Sequence, residues 1–165
     1  MAGCKDYIIL CLDTGPSMDT APLDEGETRL ETALNIASRV VQQKMFAGSK
    51  DFVGLVLFGT NDTDNELAVD GEGYQHITVA WQPAQPSLEF LRYLTNQITA
   101  GDTPGDFIDA LVVAMDVLVK TVSTAKRVGE KKIYLITDVG SEYTDDGLGE
   151  IAAGLRDRGI QLIVV

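Results

Sequence analysis

The sequence predicts an α/β domain with a doubly wound, mostly parallel sheet, helices on both faces and one antiparallel edge strand. Short apolar runs alternate with longer stretches whose apolar residues recur at helical spacing, which is typical of parallel βαβ units. Most of the apolar runs contain no alternating polar residues, as expected for strands that are covered on both faces. The 165 residues are one domain's length, with the hydrophobic content (45%) of a folded chain. We therefore interpret residues 1–165 as a single domain.

The first half of the chain supplies two buried strands, a helix and an edge strand. Residues 7–12 form a continuous apolar run that ends at Asp13, and residues 52–58 form another. Between them, residues 27–46 carry one apolar helical face, formed by Leu30, Ala33, Leu34, Ala37, Val40 and Val41. Residues 74–81 alternate apolar and polar side chains, which predicts the antiparallel edge strand.

The second half continues this alternation of helices and strands. Ser87 is a suitable N-cap for a helix that runs to Ile98, and residues 107–118 carry the strongest helical pattern of the chain. Residues 132–137 form a third buried strand, which is followed at once by an acid, Asp138. The pattern therefore predicts two more helices that pack on the same sheet.

The last two predicted elements are a helix and a strand. The helix is capped by residues 144–146, runs to Leu155 and is stopped by Gly159, and the strand covers residues 160–165. Nothing follows that strand to cover it. We therefore expect the chain to be a fragment of a longer protein, without the final helix and strand of the fold.

The charge of the chain excludes some partners. Its 13 basic and 25 acidic residues give a formal charge of −12, and such a field repels phosphate backbones, which argues against direct nucleic-acid binding. Seven acids and no Lys or Arg lie between Asp51 and Leu91. We interpret this stretch either as a solvated acidic loop or as a docking surface for a basic peptide. Two cysteines indicate a reducing compartment, and no apolar run approaches the roughly 20 residues that span a bilayer.

Two acids, Asp13 and Asp138, directly follow buried apolar runs. Since the ligand crevice of a doubly wound sheet lies beyond the carboxyl ends of its strands, we expect both carboxylates to meet there. Together with Ser17 they would offer Mg²⁺ hard oxygen ligands. Alternatively, each acid caps the turn or helix that follows it.

The segment Ile-Leu-Cys-Leu-Asp13-Thr-Gly15-Pro-Ser17-Met resembles the first loop of a von Willebrand factor A domain, and Leu-Ile-Thr-Asp138 resembles a later strand of that family. The metal-ion-dependent adhesion site of the family uses Asp-x-Ser-x-Ser, a Thr at the start of the central helix, and this second Asp. Here Gly15 replaces a Ser, and the Thr is missing at Gly105 or Asp106. The resemblance therefore implies a degenerate site that binds no metal and no other cofactor, with Asp13, Ser17 and Asp138 as its remnants.

Three further blocks carry a narrower resemblance. They cover residues 55–65, with the sequence Phe-Gly-Thr-Asn-Asp-Thr-Asp-Asn at their end, residues 74–79, and residues 106–117. In this order and spacing they resemble the amino-terminal von Willebrand A-like domain of the large subunit of the eukaryotic Ku heterodimer. The resemblance extends over essentially the whole chain, and the first block is specific because generic A domains do not carry it there.

The resemblance implies a non-catalytic protein-interaction domain of a nuclear protein that repairs DNA double-strand breaks. In that family the parent protein pairs with the Ku small subunit, and binds DNA ends through a ring that this chain does not contain. It takes part in non-homologous end joining and telomere maintenance. The A-like domain recruits end-joining factors through short Ku-binding peptides that are basic at one end and apolar at the other.

The same resemblance implies the residues of a peptide groove. Carried over by position, they are Leu67, Tyr74, Asp106, Val112, Met115 and Tyr134. The acidic stretch would supply a rim for the basic end of the peptide, formed by Asp62, Asp64, Glu66, Asp70 and Glu72. Alternatively, Val112 and Met115 belong to the helix core, because residues three apart share a helical face.

Two other functions stay open from the sequence alone. One is a metal-dependent A domain for adhesion or ligand binding, and the other is a Mg²⁺-dependent phosphotransfer domain that uses the same two aspartates. The chain carries no P-loop motif. Its single histidine, His76, lies in the predicted edge strand at the surface, which disfavours a Ser-His-Asp triad.

Overall fold

The protein is described by a computed structural model that covers residues 4–22, 26–140 and 147–165. Its five strands form one sheet in the order β3-β2-β1-β4-β5. Strand β1 lies in the centre and runs parallel to β2 and β4, β5 runs parallel to β4, and β3 pairs antiparallel with β2 at one edge. The strands are β1 (Lys5–Asp13), β2 (Phe52–Phe58), β3 (Ile77–Ala84), β4 (Val128–Ile136) and β5 (Ile160–Val164). The predicted fold class is therefore confirmed.

Helices cover the sheet on both faces. On one face α1 (Arg29–Phe46) and α2 (Leu88–Asn96) pack over the core that contains Leu10, and on the other α3 (Phe107–Ser123) and α4 (Leu148–Asp157) pack over the core that contains Ile9. Successive residues of β1 thus point into two different cores, which is why the strand has no polar face. No helix within the described residues is long and apolar enough to cross a membrane.

Side-chain caps set the starts of three helices. Thr28 accepts a hydrogen bond from the amide of Glu31, whose side chain in turn accepts one from the amide of Thr28, so this pair forms a capping box at the start of α1. Ser87 caps α2, as predicted, and Asp106 caps α3. The cap predicted for α4 at residues 144–146 lies outside the described residues.

The edge strand was predicted to begin too early. Tyr74 and His76 have left-handed backbone angles, with φ of +48° and +58°, and such residues cannot continue the pairing of an extended strand. Strand β3 therefore begins at Ile77 and runs to Ala84. His76 lies in the preceding turn, where a ring nitrogen, Nδ1, lies 2.9 Å from the carbonyl oxygen of Thr60.

Candidate functional site

The two strand-end acids lie side by side because β1 and β4 are neighbours in the sheet. The Asp13 carboxylate is buried, and it accepts hydrogen bonds from the amide of Gly15 (2.8 Å) and from the hydroxyl of Thr137 (2.6 Å). Burial raises the pKa of Asp13 above its ordinary value. The expected meeting of the two acids is thus present, although each oxygen of Asp13 is occupied by a protein donor.

The negative charge of Asp138 is balanced by a side chain of the same protein, the Arg29 guanidinium. One oxygen of Asp138 accepts hydrogen bonds from the hydroxyl of Ser17 (3.0 Å) and the amide of Gly140 (2.9 Å). The other lies 3.6 Å from Nε of Arg29, at the first residue of α1. The Arg29 guanidinium also donates to the hydroxyl of Thr20. Arg29 therefore supplies positive charge next to the Asp138 carboxylate.

The donor set at this edge does not fit a divalent cation. Gly15 offers no side-chain oxygen, and the residue at the start of α3, Asp106, uses its carboxylate to cap that helix at the amide of Ile108 (2.8 Å). Both oxygens of Asp13 are already accepting hydrogen bonds from protein donors. Within the described residues no group of three or more His, Cys, Asp and Glu side chains is arranged to hold a metal.

A single side chain, Asn65, organises the acidic loop between β2 and β3. Its amide nitrogen donates to the carbonyl oxygens of Tyr74 (3.0 Å) and Ile77 (2.9 Å). Its carbonyl oxygen accepts from the amides of Leu67 (3.1 Å) and Ala68 (2.9 Å). Asn65 therefore fixes Leu67 and Tyr74 relative to each other and to the start of β3.

An open cavity of about 510 Å³ lies between this loop, α3 and α4. We call it the Leu67 groove, and its apolar lining consists of Leu67, Tyr74, Ile108, Val112, Met115, Val119 and Ile151. Four of the implied residues are partly buried against the core and still reach the cavity, namely Leu67, Tyr74, Val112 and Met115. Val112 and Met115 therefore belong in part to the helix core and in part to the wall of the groove. The structure thus brings together four of the six residues that the resemblance implied.

Two implied residues do not line this groove. Asp106 is the N-cap of α3, more than one helical turn before Val112. Tyr134 lies on β4 and packs into the core beneath α1 and α2, on the opposite face of the sheet from α3. The sequence analysis missed the remaining lining residues, which lie on or next to α3 and α4, namely Ile108, Asp116, Val119, Gly147, Glu150, Ile151, Gly154 and Arg158. Of these, Asp116 and Val119 stand four residues after Val112 and Met115, so helical spacing could have found them.

A second cavity, of about 330 Å³, lies on the other side of Leu67, between the loop, β3 and α3. We call it the Lys120 groove, and it is lined mainly by Asp64, Glu66, Val79, Gln82, Val113 and Lys120. Leu67 and Asp116 line both cavities. The two grooves are therefore neighbours that share one ridge.

The five acids of the predicted rim do not surround one groove. Asp64 and Glu66 line the Lys120 groove, whereas Asp62 lies near the end of α2, and Asp70 and Glu72 are exposed in the turn before β3. Glu66 is paired with Lys120 at 2.6 Å. Hydrogen bonding to Lys120 lowers the pKa of Glu66. Two of the five exposed acids therefore line the Lys120 groove, and the other three lie elsewhere on the surface.

The chain is similar to known proteins over nearly its whole length. A family model described as the Ku70/Ku80 N-terminal alpha/beta domain matches residues 7–163. The chain is 35% identical to "X-ray repair cross-complementing protein 5" of Dictyostelium discoideum over 98% of its length, and 36% identical to "ATP-dependent DNA helicase 2 subunit KU80" of Oryza sativa subsp. japonica over 90%. It spans about a fifth (20%) of the length of each relative.

A solved structure shows a similar fold. The chain superposes on the conserved hypothetical protein BatB from Bacteroides thetaiotaomicron with a TM-score of 0.67 and 22% sequence identity. The match covers 98% of this chain and 65% of that one. At this identity the likeness concerns the fold alone.

Proposed function

Because the chain belongs to the Ku70/Ku80 N-terminal α/β domain family, we propose that it is the protein-interaction domain of a Ku large subunit. In this proposal the domain recruits end-joining factors by binding short basic-apolar peptides in the Leu67 groove. The domain family is non-catalytic, and the word helicase in the relatives' names refers to those longer proteins. The proposal places the parent protein in the nucleus, as a heterodimer with the Ku small subunit. It binds DNA ends through parts outside this chain, and acts in non-homologous end joining and telomere maintenance.

The observation that carries the proposal is the Leu67 groove itself. It is an open cavity of about 510 Å³ whose apolar wall residues lie on a loop and two helices, and four of them, Leu67, Tyr74, Val112 and Met115, are half-buried. Such a cavity has room for apolar side chains of a ligand, and a buried apolar anchor is the kind of contact that dominates binding energy.

Charge supports a ligand with a basic end. The chain carries a formal charge of −12, and three acids, Asp116, Glu150 and Glu66, lie in or beside the groove with two bases, Arg158 and Lys120. A negative field of this kind speeds the association of a basic peptide and makes binding sensitive to salt. The metal-dependent alternative is not proposed, since the strand-end donors do not fit a divalent cation.

The proposal is tested by Leu67→Arg, which places a charge in the wall of the groove. We expect it to abolish binding of a fluorescein-labelled peptide with three basic residues at one end and Trp and Leu at the other, measured by fluorescence polarisation. Leu88→Arg is the matched control, because Leu88 is 64% exposed on α2, on the other face of the sheet. Circular dichroism checks that both variants fold. A folded Leu67→Arg variant that binds the peptide as tightly as the parent would refute the proposal.

A further inference from the structure

An ion triad of Lys120, Glu66 and Asp116 lies in the Lys120 groove, and its member Asp116 also lines the Leu67 groove. Nζ of Lys120 lies 2.6 Å from a carboxylate oxygen of Glu66 and 2.7 Å from one of Asp116. Glu66 comes from the loop and Asp116 from α3, one turn before Lys120, so the ammonium bridges two separate elements. Hydrogen bonds from Lys120 to Asp116 and to Glu66 raise the pKa of Lys120, so it stays charged at neutral pH.

The Lys120 groove is acidic apart from this one ammonium group. Three carboxylates line it, from Asp64, Glu66 and Asp116, while Lys120 is the one basic residue of its lining. Its remaining polar lining is uncharged, from Asn65, Gln82 and Thr121. The groove therefore has the charge and the hydrogen-bond acceptors to hold a cationic side chain, and Lys120 fills that role from within the chain.

We propose that the Lys120 groove is the subsite for the basic end of the peptide whose apolar end enters the Leu67 groove, and that Lys120 is an internal competitor which the ligand's cation displaces. This inference rests on the proposed function, because it assigns the second half of the same ligand. The ligand crosses the ridge at Leu67 and Asp116, which line both grooves.

The exposure of the triad makes such an exchange feasible. The side chain of Lys120 is 51% exposed and that of Glu66 is 75% exposed. Ion pairs in this much water contribute little stability, and a lysine side chain is long and flexible, so Lys120 can leave its partners without disturbing the fold. The Lys120 ammonium nevertheless lowers the affinity for the peptide, because a basic side chain of the peptide must first displace it from Glu66 and Asp116.

An opposite role for Lys120 makes the opposite prediction. Glu66 directly precedes Leu67, so the ion pair with Lys120 also ties the loop to α3. If Lys120 mainly holds Leu67 in position, its removal weakens the binding of every peptide that uses the Leu67 groove. The sign of the effect on affinity therefore separates a competitor from a support.

The experiment compares Lys120→Met with Lys126→Met in fluorescence polarisation. Lys126 is an exposed lysine in the segment after α3 and lines neither groove. Both substitutions remove one positive charge from the protein, so they change its overall field alike and differ only in the local charge at the groove. Each variant is titrated with the basic-apolar peptide and with a second peptide in which glutamine replaces the three basic residues.

We expect Lys120→Met to bind the basic-apolar peptide about three- to tenfold more tightly than Lys126→Met does, and to bind the neutral peptide equally. Equal or weaker binding of the basic peptide by Lys120→Met would overturn the inference while leaving the proposed function intact. A gain of the same size for both peptides would also overturn it. If neither the parent nor Lys120→Met binds the basic peptide, both the inference and the proposed function fall.

Discussion

Replacing Asn65 with alanine removes four hydrogen bonds that hold the loop between β2 and β3. All four partners are backbone groups, and all four contacts are part-buried, so water can replace them only in part. Each such bond contributes about 0.5–1.5 kcal/mol, and allowing for partial access of water we expect a loss of about 2–4 kcal/mol in the free energy of unfolding. For a domain of this size that corresponds to a fall in Tm of about 5–15 °C.

Urea unfolding followed by tryptophan fluorescence measures this loss. The single tryptophan, Trp81, lies on β3 and stacks on Phe90 at 4.9 Å between ring centroids, so its emission reports on the edge of the sheet to which the loop leads. Asn96→Ala is the control, because the Asn96 side chain at the end of α2 is exposed and bonds only within that helix turn. We expect the control to stay within about 0.5 kcal/mol of the parent.

Asn65 does not hold the loop in this way if Asn65→Ala and Asn96→Ala unfold at the same urea concentration. Asn65→Asp is a second test. It keeps an oxygen that accepts from the amides of Leu67 and Ala68, but it replaces the amide nitrogen, which donates to two backbone carbonyl oxygens, with a second oxygen that cannot donate. We expect Asn65→Asp to be at least as destabilised as Asn65→Ala.

Two further predictions concern the carboxyl ends of the strands. Gly59→Ala should lower the free energy of unfolding by at least about 2 kcal/mol, because φ is +76° and a Cβ there would lie 2.6 Å from the amide nitrogen of Gly15. Gly71→Ala is the control: its φ is +75° with open space around it, so it should cost only about 1 kcal/mol in denaturant unfolding. Equal losses for the two variants would contradict a packing effect at Gly59. Because burial raises the pKa of Asp13 from 3.8, this carboxyl favours the folded state below that pH and loses this contribution as the pH rises through its raised pKa. The unfolding free energy of Asp13→Asn relative to the parent should therefore increase from about pH 4 to pH 7 in a series of denaturant titrations, and a difference that is constant with pH would argue against it.

The sheet could be predicted from the sequence because strands that are buried on both faces appear there as continuous apolar runs. The second strand was placed at Phe52–Phe58, as the structure has it, and β1 and β4 were found with ends that differ by a few residues. The start of β3 could not be found in the same way. Alternation of side chains continues through Tyr74 and His76, and nothing in the alternation records that their φ angles are positive.

The groove was predictable only in part. Leu67, Tyr74, Val112 and Met115 came from the resemblance to a family, whereas Ile151 and Arg158 reach the same cavity because α4 packs beside α3, which no local pattern encodes. Tyr134 is excluded from the groove by the structure and not by the sequence, because a continuous apolar run does not show which face each residue takes. Side chains of a strand alternate between its faces, and Ile133 and Leu135 point into the core beneath α3, so the residue between them must point the other way.

The positive charge next to Asp138, at one end of the sheet, comes from a side chain of the protein, the Arg29 guanidinium, and not from an ion in solution. A metal ion at the same place would leave with a chelator and would follow the concentration of divalent ions, but a side chain attached to α1 has a fixed effective concentration beside Asp138. The geometry of Ser17, Asp138 and Arg29 is therefore held by groups of the chain itself.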